Sequence, residues 1–280
     1  MYEETIISSR PDREIKKKII ITGDYDLVPY EDARCKIVLT DVTCTNDDGE
    51  CEISKESKIF SDHFDGNVLI GDSDFFIDRD FELILQQMCC GENCEATLVY
   101  RDSDGLLAMN LSCKIELKEV TEEQLISDWS WQRLYEAATY NKDRGVELVK
   151  QNRLSDAFKR FSKALKMLIA IEPVDPANID DDTVKEMLQL RIKLYNNLAH
   201  IQLQYEQFDA ALDLCERALK YEPENTKALY RRCTAYTGLK MYEEAWNDIQ
   251  HVLKIDPNDK LSKQKANSLK PILETINKNY

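Results

Sequence analysis

The stretch NLAHIQLQYEQFDAALDLCERALKYEP (residues 197–223) decides the C-terminal fold, because RRCTAYTGLKMYEEAWNDIQHVLKIDP (231–257) repeats its pattern 34 residues later. The shift lays Asn197 on Arg231, Ala199 on Cys233, Ala211 on Ala245, Ala218 on Val252 and Pro223 on Pro257. Small or apolar residues recur where two helices cross closely, and proline recurs where the second helix must stop. An earlier copy carries Gly145, Ala157, Phe161 and Ala164 at the matching places, but 54 residues ahead of the second copy. The 20 extra residues fall between Ile169 and Gln189. They contain Pro173, Pro176 and Asp180-Asp181-Asp182 before Thr183, which reads as a loop ending in a helix N-cap. The helices on either side of this insertion are therefore expected to be long.

Three copies, over residues 138–171, 192–225 and 226–258 with an insertion at 170–191, make six helices. Each pair buries its inner face only against its neighbours, so an end cap is required, and residues 259–280 can supply it. Upstream, residues 121–137 place Trp129, Leu134 and Ala137 or Ala138 on helical spacing after Thr-Glu-Glu, a lead-in to the first repeat helix. Trp129 and Trp131 read as packing, with a binding surface as the alternative. The glycine-or-alanine, alanine, alanine, proline pattern resembles the tetratricopeptide repeat. That resemblance implies a curved array presenting the first helix of every pair along a concave, peptide-binding groove.

On those first helices, residues three and four apart share a face. The face carries Lys142, Asn197, Lys227 and Arg231. Three cations and an amide suit the carboxylates of a peptide C-terminus, each charge-assisted bond contributing about 1.5–3 kcal/mol; the plainer alternative is a solvated charged face. These positions match, residue by residue, the carboxylate clamp of tetratricopeptide co-chaperones, which implies a grip on the Glu-Glu-Val-Asp tail of cytosolic heat-shock chaperones. Val146 departs from the pattern where many clamps carry Asn, and a lost donor costs roughly 1–3 kcal/mol, or tenfold or more in affinity.

Charge marks a boundary near residue 120. Residues 1–120 hold 13 Lys and Arg against 27 Asp and Glu, whereas 121–280 hold 24 against 25. The acidic half repels nucleic acid and anionic membrane, and neither is an expected partner. The chain shows no apolar run of the ~18–20 residues needed to cross a bilayer and no secretory leader; it is expected in the cytoplasm, with access to the nucleus. The nine cysteines lack paired zinc-site spacings and read as reduced thiols. Cys89, Cys90 and Cys94 are the group to weigh for redox chemistry, with inert burial as the plainer reading.

In the N-terminal half, Leu111 to Lys118 alternates as a half-buried strand, Cys35 to Thr40 and Cys94 to Tyr100 are β-rich, and Asp80 to Met88 sets Phe81, Ile84, Leu85 and Met88 on one helical face. Met88-Cys-Cys-Gly91-Glu92 resembles the Met-x-x-Gly-Glu turn of FKBP-type immunophilins, and Cys35 to Asp41, Asp48-Gly49 and Ile70-Gly71 fall where that family has a strand, an Asp-Gly hairpin and Leu-Gly. The resemblance implies an α+β domain, an antiparallel FKBP-like sheet around one helix, followed by an all-α tetratricopeptide-repeat array. Its divisions are an N-terminal arm at 1–14, the FKBP-like domain at 15–120, and the array.

Family enzymes hold proline in an aromatic pocket while the amide bond turns over a barrier of ~18–20 kcal/mol. At the family's pocket positions this chain has Leu39 for Tyr, Phe81 for Trp and Ile53-Ser54 for Phe-Asp, and the loop that supplies another Tyr shrinks to Asp102-Ser-Asp-Gly105. The resemblance therefore implies a non-enzymatic adaptor with no catalytic residues, no metal site and no cofactor; the alternative is an active isomerase with an altered pocket. The degenerate site and three-repeat layout also resemble insect immunophilin-like proteins that partner a casein kinase of the circadian clock, which implies such a kinase as client.

Overall fold

The computed structural model describes residues 4–24, 28–60, 63–121, 126–173 and 178–278. Two units divide the chain, Met1–Leu125 and Ile126–Tyr280. In the first, strands β1 (Glu4–Arg10), β2 (Arg13–Ile21), β3 (Arg34–Asn46), β4 (Gly49–Glu50), β5 (Phe64–Leu69), β6 (Asn93–Arg101) and β7 (Leu107–Thr121) accompany helix α1 (Phe76–Leu85). The strands run antiparallel in the order β1-β2-β6-β7-β3-β4, with β5 paired to β3.

Alternation along the strands sends Cys35, Ile37 and Leu39 of β3 and Leu111, Cys113, Ile115 and Leu117 of β7 to one face. There they meet Ile77, Phe81, Ile84 and Leu85 of α1 in a single core. The helix begins earlier than the expected Asp80, because Ile77 adds an apolar residue to the buried face one turn upstream. It also ends before Met88, whose N–H bonds the carbonyl of Leu85 in a tightened last turn at 3.0 Å. Met88 still reaches the core from that turn. The expected arm at 1–14 is corrected as well. Glu4–Arg10 is an edge strand paired with β2 across the turn at Pro11-Asp12, where Arg10 opposes Arg13. Its pairing comes from backbone groups, and no strong side-chain alternation announces it.

In the second unit, α2 (Trp131–Lys150) and α3 (Leu154–Ala170), α4 (Asp181–Gln204) and α5 (Phe208–Tyr221), and α6 (Thr226–Gly238) and α7 (Tyr242–Ile255) form three pairs, followed by α8 (Lys260–Lys278). Lead-in residues and first repeat helix are one helix. Its N-cap is Ser130, which accepts from the Arg133 N–H at 3.3 Å, and Trp129 packs into the first-pair core under the Arg133 guanidinium. The helices flanking the insertion are long, 17 and 24 residues against 14, 13 and 14 in the later pairs. Asp180 caps α4 by accepting from the N–H groups of Asp182 at 3.1 Å and Thr183 at 2.9 Å.

The repeat glycines and alanines sit where helices touch. A Cβ at Gly145 would lie 2.5 Å from the Phe161 ring, and one at Gly238 would lie 2.5 Å from Phe208. Phe161 is enclosed and has nowhere to go. Gly145→Ala should gain about 1 kcal/mol of helix propensity and lose about 1–3 kcal/mol to overpacking. A net loss in chemical denaturation is expected, recovered in part by Phe161→Leu in the same chain.

Candidate functional site

The residues that family resemblance places around a proline pocket lie in or against the core of the first unit. Leu39, on β3, and Phe81, on α1, are both 0% exposed. Phe60 stands edge-on against Phe81, ring centroids 5.2 Å apart at 80°. Ile53 packs partly buried on the same core. Ser54 is not brought in: it is exposed, and its Oγ accepts from the Glu56 N–H at 3.3 Å within its own turn. Between β6 and β7 the chain turns at once, with Asp102 Oδ1 accepting from the N–H groups of Asp104 and Leu106, both at 2.9 Å.

Three carboxylates on α1 hold the segments around this core. Asp78 accepts from Ser57 Oγ and from the Lys58 N–H at 2.8 Å, and Ser57 Oγ in turn accepts from the Phe60 N–H at 3.0 Å. That chain of bonds seats Phe60 on Phe81. Asp80 pairs with Arg13 and accepts from the Tyr100 hydroxyl at 3.0 Å. Glu82 accepts from the N–H groups of Gly71 and Ser73, both at 3.0 Å. Burial pushes all three carboxyls above their ordinary range against the pull of these donors. The Asp72-to-Asp80 stretch therefore spends its inward acids on structure; no cluster of three metal-binding side chains occurs among the described residues. Opposite the helix C-terminus, buried Lys17 donates to Glu92 Oε1 at 2.7 Å and to the Gln87 carbonyl, and Glu92 also accepts from the Cys89 N–H at 3.1 Å.

The clamp positions lie on α2, α4 and α6, and α4 lies against both of the others. Lys142 is half-buried and pairs with Asp143 on its own helix. Val146, one turn on, packs against the first-pair core. Asn197 is half-buried, and its amide has no hydrogen-bond partner among the described residues; Lys227 is exposed without an ion pair.

Arg231 is the distinctive member. Its Nη1 donates to Asn196 Oδ1 at 3.1 Å, and no carboxylate pairs with it among the described residues. Its neighbours are otherwise supplied: Arg232 makes two bonds to Asp248 at 2.8 and 2.7 Å, and Arg191 pairs with Glu172 at 2.6 Å. Burial pushes the Arg231 guanidinium below its ordinary value, and burial together with the charge of Arg231 lowers His200. Asn196 fixes the arrangement. Its Nδ2 donates to the Ile192 carbonyl at 3.1 Å and to Asn225 Oδ1 at 3.3 Å, and Asn225 caps α6 by accepting from the Ala228 N–H at 2.9 Å. Phe60 and Asn196 are not among the residues the sequence singles out, and His200 carries no nucleophile or metal spacing in the sequence. Only Asn196 had a signal, as the partner of Asn197 in an Asn-Asn pair just inside the repeat.

Residues 202–265 match the tetratricopeptide repeat family. The human FK506-binding protein-like protein is 28% identical over 185 residues, 65% of this chain and 47% of that protein. Human peptidyl-prolyl cis-trans isomerase FKBP4 is 28% identical over 156 residues, 55% of this chain and 33% of that enzyme. The chain thus spans about a third to a half of the length of these curated relatives. Among solved structures, residues 1–211 of CG17282 superpose with a TM-score of 0.55 at 22% identity, covering 75% of this chain and 97% of that one. The TPR-containing C-terminal domain of a Plasmodium falciparum FK506-binding protein gives 0.51 at 23%, covering 55% and 99%. Both are likenesses of fold.

The depressed His200 has a stability consequence. The unfolded chain takes up its proton first, so the contribution is full above about pH 6.5, the ordinary histidine value, and is lost as pH falls from there toward the lower folded value. Denaturation midpoints of the second unit measured between pH 8 and 5 should fall less steeply in His200→Gln than in the parent chain.

Proposed function

We propose that this chain, a divergent FKBP-type immunophilin with C-terminal tetratricopeptide repeats, is a cytoplasmic adaptor that holds a carboxylate-rich peptide C-terminus in its repeat groove and makes no use of the immunophilin fold for catalysis. The observation carrying the first part is Arg231. A guanidinium taken half out of water without a counter-charge is costly, and a ligand carboxylate is the group that would relieve it. Asn197 offers an unspent amide one helix away, and Lys227 adds an exposed cation a turn before Arg231. The tail of a cytosolic heat-shock chaperone, with its terminal and side-chain carboxylates, fits this donor set. Val146 supplies no donor, so the grip is weaker by roughly 1–3 kcal/mol than that of a clamp with Asn there.

Lys227→Glu with Arg231→Glu should abolish capture of the chain by an immobilised Glu-Glu-Val-Asp peptide, and the same peptide should raise the His200 pKa of the parent chain by screening Arg231. Capture by the double variant at the parent level would discard the clamp.

The second part rests on the enclosed pocket positions. A proline ring needs an open aromatic wall, and here Phe60 and Phe81 meet edge to face inside the core. The first unit then serves as a docking surface for a client, for which the family resemblance suggests a casein kinase of the circadian clock. In a protease-coupled proline-peptide assay the full chain should run at the uncatalysed rate, while retaining purified casein kinase on beads. A rate enhancement removed by Phe81→Ala would overturn the adaptor reading, and failure to retain the kinase would remove that client.

A further inference from the structure

Nine free cysteines are present, and most lie inside the cores. Cys44 and Cys51 differ from the rest in their placement. The β3–β4 hairpin pairs Asn46 with Gly49 and Thr45 with Glu50, and the next position outward sets Cys44 opposite Cys51. The Cys51 N–H donates to the Cys44 carbonyl at 2.9 Å, which carries the antiparallel approach one step past Thr45–Glu50, and the two thiols lie within hydrogen-bonding reach of each other. Residues opposed in this way hold their Cα atoms inside the span a disulfide bridges, roughly 4.4–6.8 Å. Cys44 is buried and Cys51 half-exposed, so one thiol of the two meets solvent. The difference in exposure makes Cys51 the sulfur that an oxidant reaches and Cys44 the one that follows.

We propose that Cys51 is a peroxide-reactive site and that Cys44 resolves it, forming a cross-strand disulfide at the base of the β3–β4 hairpin. The Cys51 thiolate attacks one oxygen of hydrogen peroxide, the O–O bond breaks, and the departing hydroxide leaves as water, giving a sulfenic acid at Cys51. The Cys44 sulfur then attacks that sulfur, and the hydroxyl leaves as a second water with the Cys44 proton. Two thiols are oxidised and one peroxide is reduced to two waters.

A disulfide with one half-exposed sulfur is open to reductant, the property of a reversible modification. Its position is functional. Cys51 leads straight into Ile53 and the turn at Ser54, and onward to Ser57, whose bonds to Asp78 and Phe60 seat the loop on the core. Oxidation would pin the entry to that segment to β3. The inference stands apart from the repeat groove and does not depend on it.

The test uses the full chain, treated with a small excess of hydrogen peroxide, alkylated, digested and read by mass spectrometry. The expected product is a Cys44–Cys51 linked peptide that disappears on reduction with dithiothreitol. In Cys44→Ser the sulfenic acid has no resolving partner, and its dimedone adduct at Cys51 should be several-fold above that of the parent chain; in Cys51→Ser neither product should form. Should a variant fold poorly, the parent chain alone decides. Both thiols still free to alkylation after peroxide, or a disulfide linking either of them elsewhere, would overturn the proposal.

Discussion

A charge removed from water must meet a partner, and that requirement places the loops of this protein. Helix α1 carries Asp78, Asp80 and Glu82 into the low-dielectric side of the sheet, where each would be costly alone. Each finds donors on a different segment: the 57–60 loop, strands β2 and β6, and the turn after β5. Lys17 and Glu92 do the same for the end of α1. Pairs of this kind add little net stability against apolar replacements. What they supply here is position, since a loop that must satisfy a buried carboxylate has few other places to lie.

The same requirement separates the two candidate sites. In the first unit it works toward closure. Ser57, held by Asp78, brings Phe60 onto Phe81, and both rings lie in the core. In the array, among the described residues, Arg231 meets an amide and no carboxylate. Arg231 and Arg232 are consecutive, so they point about 100° apart around α6; Arg232 faces Asp248 on α7, while Arg231 faces Asn196 and the groove. An adjacent pair of guanidiniums thus divides, one fastening α6 to α7 through a carboxylate and the other meeting only an amide of α4 among the described residues.

How much of this was legible depends on the range of the interactions. Gly145 and the repeat alanines could be read because helix crossing imposes its demand at a fixed spacing, and the same period laid Asn197 on Arg231. The length of α3 and α4 followed from the 20 extra residues and the Asp180 cap. Helix α1 was misplaced because its first buried residue, Ile77, sits among acids whose partners are distant in sequence. The edge strand β1 escapes a reading by side-chain pattern because its pairing with β2 is a backbone interaction, to which that pattern is nearly silent.

The sequence by itself determined the stacked helix pairs and the sheet with one helix, because periodicity and local turn chemistry act within a few residues of one another. Only the tertiary structure decided that Phe60 fills the face of Phe81, that Arg231 lacks a carboxylate while Arg232 has one, and that Cys44 stands opposite Cys51. Those facts turn on which distant groups a side chain meets once water is excluded, and no local pattern encodes them.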